Sequence, residues 1–127
     1  MQIRSPRVAA VGALLAAVAV AAGAFGAHGL ADRLDARGLE LWETAARYLI
    51  YSSFGAMLAG LVGARPAGVA LISGGLIFAG AVGGLALGAP RFLGAVAPIG
   101  GLGMIGGFAA LAWVLWSAQS SGDSSAA

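Results

Sequence analysis

Residues 64–92 read ARPAGVALISGGLIFAGAVGGLALGAPRF, and this stretch decides the fold. Its centre, residues 68–87, holds no charged residue, and a proline next to an arginine bounds it on each side. A helix of that length measures about 30 Å, the thickness of the hydrocarbon core of a bilayer. Proline disfavours helical geometry in the residue before it and is tolerated where a helix starts. Ala64-Arg65-Pro66-Ala67 and Gly88-Ala89-Pro90-Arg91-Phe92 therefore read as short turns between membrane spans.

Working outward from this span, three further apolar runs occupy about 8–26, 46–63 and 94–116. Arg4 and Arg7 ahead of the first run, with Ala22-Gly23-Ala24 near its end, also match a secretory signal with a small-residue cleavage site. Three more apolar runs follow, which favours a retained span. Pro98 leaves two readings of the last run: a helix that starts near it, with Phe92 to Ala97 leading in, or an earlier start with a kink. The start is preferred, because residues 98–116 alone rise about 28 Å. The small, polar residues 117–127 read as a disordered tail.

Between the first two spans the character changes. Leu30, Leu34, Leu41, Trp42, Ala45 and Leu49 recur at helical intervals, with Asp32, Arg33, Arg37, Glu40, Glu43 and Arg47 on the other side. Such a period predicts an amphipathic helix over about 30–45, lying on the membrane with Trp42 at the headgroup boundary.

Composition agrees. Hydrophobic residues make up 60% of the 127 and charged residues 9%, more apolar surface than so short a chain can bury in water. The net charge of +2 rests on seven scattered arginines, with no patch able to track a phosphate backbone, so nucleic-acid binding is excluded. Cysteine is absent, which removes disulfides, thiolate metal sites and a cysteine nucleophile; lysine is absent too, and Schiff-base chemistry with it. Orientation turns on arginine. Arg4, Arg7 and the tight hairpin at Arg65 favour termini in the cytoplasm, against Arg33, Arg37, Arg47 and Arg91 at the other end.

Several residues are candidates for contact or chemistry. Gly80, Gly84 and Gly88 form GxxxGxxxG, and Gly103 and Gly107 repeat the spacing in the last span. Such stripes let backbones approach closely, either within the bundle or between copies. His28, the one histidine, ends the first span and suits a headgroup-boundary contact or a titrating one. Tyr48, Tyr51, Ser52 and Ser73 are polar groups within spans and are candidates for lining a small polar site. No Asp, Glu, Lys or Arg lies deep in a run, which argues against a proton-coupled carrier. No HExxH, GxSxG or Walker loop is present, and the reading is of a protein that is not an enzyme and carries no cofactor or metal.

Four stretches also carry a resemblance: Gly23-Ala24-Phe25-Gly26-Ala27-His28-Gly29-Leu30, Trp42-Glu43-Thr44-Ala45-Ala46-Arg47-Tyr48, Ser73-Gly74-Gly75-Leu76 and Ala97-Pro98-Ile99-Gly100-Gly101. Together they resemble the bacterial domain of unknown function 423 family, related to the eukaryotic transmembrane protein 256. The resemblance implies a small four-span protein of the bacterial inner membrane and brings no established activity with it. It also places His28 at a motif position. Two features depart from the family's usual pattern. Relatives show a tyrosine, a glutamine and a later histidine where this chain has Tyr48, Leu49 and Ser52, and a threonine is common where Ala97 stands.

The sequence is thus read as an all-α membrane protein of four transmembrane helices, with an interfacial amphipathic helix between the first and second spans. Its expected role is a non-enzymatic accessory or structural component of the inner membrane, in contact with lipids and packed as a homo-oligomer or within a larger membrane complex. The alternative is an oligomeric channel or facilitator for an uncharged or lipid-like solute.

Overall fold

A computed structural model describes residues 2–126. Four helices account for nearly all of them: α1 (Pro6–His28), α2 (Ala36–Val62), α3 (Arg65–Ala86) and α4 (Leu93–Ala126). Each is long and apolar enough to cross a membrane. They alternate in direction: Ala9 meets Gly60, Gly75 meets Ser52, and Gly103 meets Gly74.

The helices stand in a row rather than a closed square. α1 packs on α2, α2 on α3 and α3 on α4; α1 touches α3 and α2 touches α4 only slightly, and α1 and α4 do not meet. Small residues make this row tight. A Cβ at Gly60 would stand 2.8 Å from Ala9 Cα, and one at Gly12 would stand 2.8 Å from the Met57 nitrogen. On the other side of the row, a Cβ at Gly74 would lie 2.7 Å from both the Gly100 oxygen and the Met104 nitrogen. In lipid, where apolar surface gains little from meeting other apolar surface, such close approach supplies the packing attraction between helices. Leu71, Ala56 and Ala59 are completely enclosed at the centre of the row.

Turn chemistry explains the joints. Gly63 closes α2 in the left-handed region (φ 81°), the Ala64 amide returns to the Ala59 carbonyl at 2.8 Å, and α3 begins at once with Pro66 in its first turn. Gly88 (φ 90°) does the same after α3. Both backbone conformations favour glycine.

No separate interfacial helix lies over 30–45. Leu30 to Asp35 form turns, and Ala36 starts α2, with Asp35 accepting the Gly38 amide at 2.7 Å as its cap. The amphipathic period is real, but helices use its apolar face: Leu41 and Ala45 pack with Ala81, Val82 and Ala97. Gly38 sits within the first turn of α2. At 27 residues α2 is about 40 Å long, some 10 Å more than the hydrocarbon core, and this excess carries Arg37, Glu40 and Glu43.

The last helix also differs from expectation. It begins at Leu93, so Pro98 lies inside it with no amide to return to the Gly94 carbonyl. Gly94 is exposed, one turn from the helix start, where headgroups and water can meet that carbonyl. Where a disordered tail is expected over 117–127, α4 continues as a helix to Ala126, and Ala127 lies outside the described residues. No proline interrupts this segment, and the Ser121 hydroxyl donates to the Ser117 carbonyl along it.

Candidate functional site

The structure does not gather the polar candidates into one site. His28 is exposed at the last turn of α1, and Ser73 is exposed on α3. Tyr48 and Tyr51 do come together, edge to face with ring centroids 5.5 Å apart, and Tyr48 also meets Phe78 at 5.2 Å. Both tyrosines remain 40–50% exposed on the outer surface of α2 (42% and 49%). Aromatic rings with a polar tip suit the membrane boundary, next to Arg47.

Ser52 faces the other way and is fully buried, together with Ser53. Their hydroxyls both donate to the Leu49 carbonyl, at 3.0 and 2.6 Å. Returning a hydroxyl to the preceding turn satisfies it without any partner on another helix. Ser52 also fills the space that a Cβ at Gly75 would need. Its place is a packing place: small enough for α2 and α3 to close, with its polarity satisfied within α2.

The glycine stripes divide in two. Gly103 and Gly107 meet α3, the first against Gly74 and the second against Leu71. Gly80 faces open space, Gly84 lies beneath Leu93 of α4, and Gly88 makes the turn. The α3–α4 crossing also runs through Gly74 and Gly100, which the resemblance stretches contain but the GxxxG spacing does not mark.

Sequence reasoning also missed the clasp between α1 and α2. The Trp42 indole donates to the Ala22 carbonyl at 2.7 Å and meets Phe25 edge to face. Gly26 leaves room for it, since a Cβ there would lie 2.9 Å from Trp42 Nε1. Beside the indole, an apolar cavity of about 130 Å³ is lined by Ala22, Ala45, Leu49, Ala79 and Gly83. The signal available in sequence was the glycine in Gly23-Ala24-Phe25-Gly26 paired with a tryptophan early in the following helix.

A larger groove, about 490 Å³, opens between the starts of α1 and α3, with Arg4, Arg7 and Arg65 around it. Among the described residues no group of three or more His, Cys, Asp or Glu side chains is placed to hold a metal ion.

Comparison with known proteins agrees with this helical, membrane-embedded picture. Residues 22–101 match the family described as protein of unknown function (DUF423). A UPF0382 membrane protein of Staphylococcus epidermidis is 41% identical over 107 residues, covering 80% of this chain and 88% of the relative. The UPF0382 membrane protein YwdK of Bacillus subtilis is 31% identical over 113 residues, covering 83% and 88%. One from the yeast Schizosaccharomyces pombe is 38% identical over 111 residues, covering 80% and 94%. No solved structure matches the chain.

Proposed function

This chain belongs to the DUF423 family of multi-pass membrane proteins, and from that premise we propose that it is a non-enzymatic accessory or structural component of the bacterial inner membrane. The observation that carries this reading is the open row of helices. Two seams of glycine and alanine lock neighbours together, while the outer faces of α1 and α4 remain apolar and unpartnered. Leu14 and Val18 on α1, and Ile99, Leu102 and Ile105 on α4, form broad surfaces suited to lipid or to another membrane protein. The buried hydroxyls of Ser52 and Ser53 are occupied within α2, so the interior supports packing and offers no polar path along the row.

Affinity purification in mild detergent at native expression, followed by mass spectrometry and native mass of the eluted species, tests this proposal. Recovery with a defined membrane complex, or as a stable homo-oligomer without flux activity, is the expected result. A homo-oligomer that conducts neutral solutes in liposomes would overturn it in favour of a facilitator. The proposed orientation has the termini in the cytoplasm, resting on Arg4, Arg7 and Arg65 at that end. The chain has no cysteine, so S5C and A89C variants report the two sides cleanly by labelling with a membrane-impermeant maleimide.

A further inference from the structure

The end of the molecule bearing the chain termini gathers three arginines. Arg4 and Arg7 flank the start of α1, and Arg65 opens α3 beside them. α1 packs mainly on α2 and meets α3 only lightly, Val8 lying over Gly68, and a groove of about 490 Å³ opens between their starts. That volume falls within the range of sites for small ligands. The arginines rim the groove, while Val11, Val69 and Ile72 line it further along the helices. From Arg65 to Ile72 is about 10 Å along α3, so the apolar part reaches into the hydrocarbon layer.

One of the three arginines is engaged. Arg4 donates to the Val62 carbonyl at 3.4 Å and lays its stem over Gly63, holding its charge at the mouth of the groove. Arg7 and Arg65 make no hydrogen bond or ion pair among the described residues. Asp32, Asp35, Glu40 and Glu43 lie at the opposite end of the helices. Both α1 and α3 also begin here without a side-chain cap at Ser5 or Ala64, so two positive helix ends add to the field.

We propose that this groove is a binding site for an anionic phospholipid. Its phosphate sits between Arg7 and Arg65 with Arg4 beside it, and the upper part of an acyl chain lies along Val11, Val69 and Ile72. The combination selects a lipid over a free anion or an acidic peptide. Guanidinium groups match phosphate oxygens through paired donors, and the apolar wall below them continues directly into the bilayer. A soluble anion would use the rim and leave the valines bare.

Native mass spectrometry of the full chain in mild detergent, titrated with phosphatidylglycerol and with phosphatidylcholine of the same acyl chains, tests the proposal. The parent chain is expected to retain phosphatidylglycerol several-fold more strongly. The R7Q/R65Q variant should lose most of that preference, since two of the basic groups facing the phosphate are gone. R33Q/R37Q, with the same charge removed at the opposite end, should keep it. V69W fills the groove with its arginines intact and should also lose the lipid; Val69 is 48% exposed, so the added bulk disturbs no core contact. Equal retention of the two lipids would overturn the proposal, as would equal losses in the two arginine pairs or full retention by V69W. Displacement of the lipid by millimolar inorganic phosphate would assign the site to a free anion instead.

Discussion

Gly74 and Gly80 lie on the same helix, and alanine at each should have opposite consequences. At Gly74 a methyl would stand 2.7 Å from the Gly100 oxygen and the Met104 nitrogen, and an ordinary contact begins near 3.4 Å. Both obstacles are backbone, so α3 and α4 must part by about 0.7 Å. A gap of that size forfeits between a quarter and a half of each dispersion contact along the crossing. Forcing a methyl into so tight a crossing costs about 1–3 kcal/mol, and the better helix propensity of alanine returns part of it, so G74A should destabilise by about 1–2 kcal/mol. At Gly80 nothing lies within 4 Å, so G80A should change stability by less than about 0.5 kcal/mol or raise it slightly. Unfolding by dodecyl sulfate in mixed micelles, followed by fluorescence of Trp42, Trp113 and Trp116, measures both. Loss of stability in G80A equal to or greater than that in G74A would refute the assignment of the α3–α4 seam to Gly74 and Gly100.

Further outcomes follow from the same contacts. W42F, which removes the indole donor to Ala22, should cost about 0.5–2 kcal/mol, and G26V, which evicts the indole, should shift Trp42 emission to the red. S52A and S53A should each change stability by less than about 1 kcal/mol, because the Leu49 carbonyl they meet keeps its helical bond; a large loss in unfolding titrations would mean a further partner for either hydroxyl. G63A should cost about 1 kcal/mol by forcing a side chain into the left-handed region, and double substitution with G88A should be roughly additive, since the two turns lie at opposite ends of α3.

The number of spans and the positions of the turns were legible because apolar length and proline–arginine punctuation are local properties. The span about 68–87 and the observed α3 (Arg65–Ala86) differ only at their ends. What lay beyond local reading was the choice of partner for a face. Residues 30–45 have an amphipathic period, and periodicity alone does not say whether Leu41 and Ala45 meet lipid or α3; Ala81 and Val82 settle it from a distant stretch. Glycine spacing marked only part of the seam: Gly103 and Gly107 meet α3, whereas Gly80 faces open space. Gly80 and Gly84 have the motif, but it is Gly74 that lies against Gly100 and Met104 of α4, with Gly75 beside it against Ser52 of α2. Of the polar candidates, Tyr48 and Tyr51 meet each other, while Ser52 turns inward to satisfy itself on its own helix.

The stretches that carry the family resemblance bear on what that family preserves. Gly26 receives Trp42, Gly74 and Gly75 lie at the two faces of α3, and Ala97 and Gly100 pack against the α3 side of the row. Gly26, Gly74, Gly75, Ala97 and Gly100 of these stretches therefore have a packing use, while His28, Ser73 and Ile99 are exposed. The basic groove is divided differently: Arg65 falls inside the matched residues, whereas Arg4 and Arg7 precede them. Fold and lipid selectivity should accordingly separate in experiment. Exchanging residues 2–7 for an uncharged sequence of equal length, with Ser5 and Pro6 kept to start α1, should leave unfolding in dodecyl sulfate within about 1 kcal/mol of the parent. Phosphatidylglycerol should then bind no better than phosphatidylcholine. A stability loss matching that of G74A would instead make these arginines part of the α1–α2 seam, through Arg4 on Val62 and the Ser5 amide on the Gly60 carbonyl.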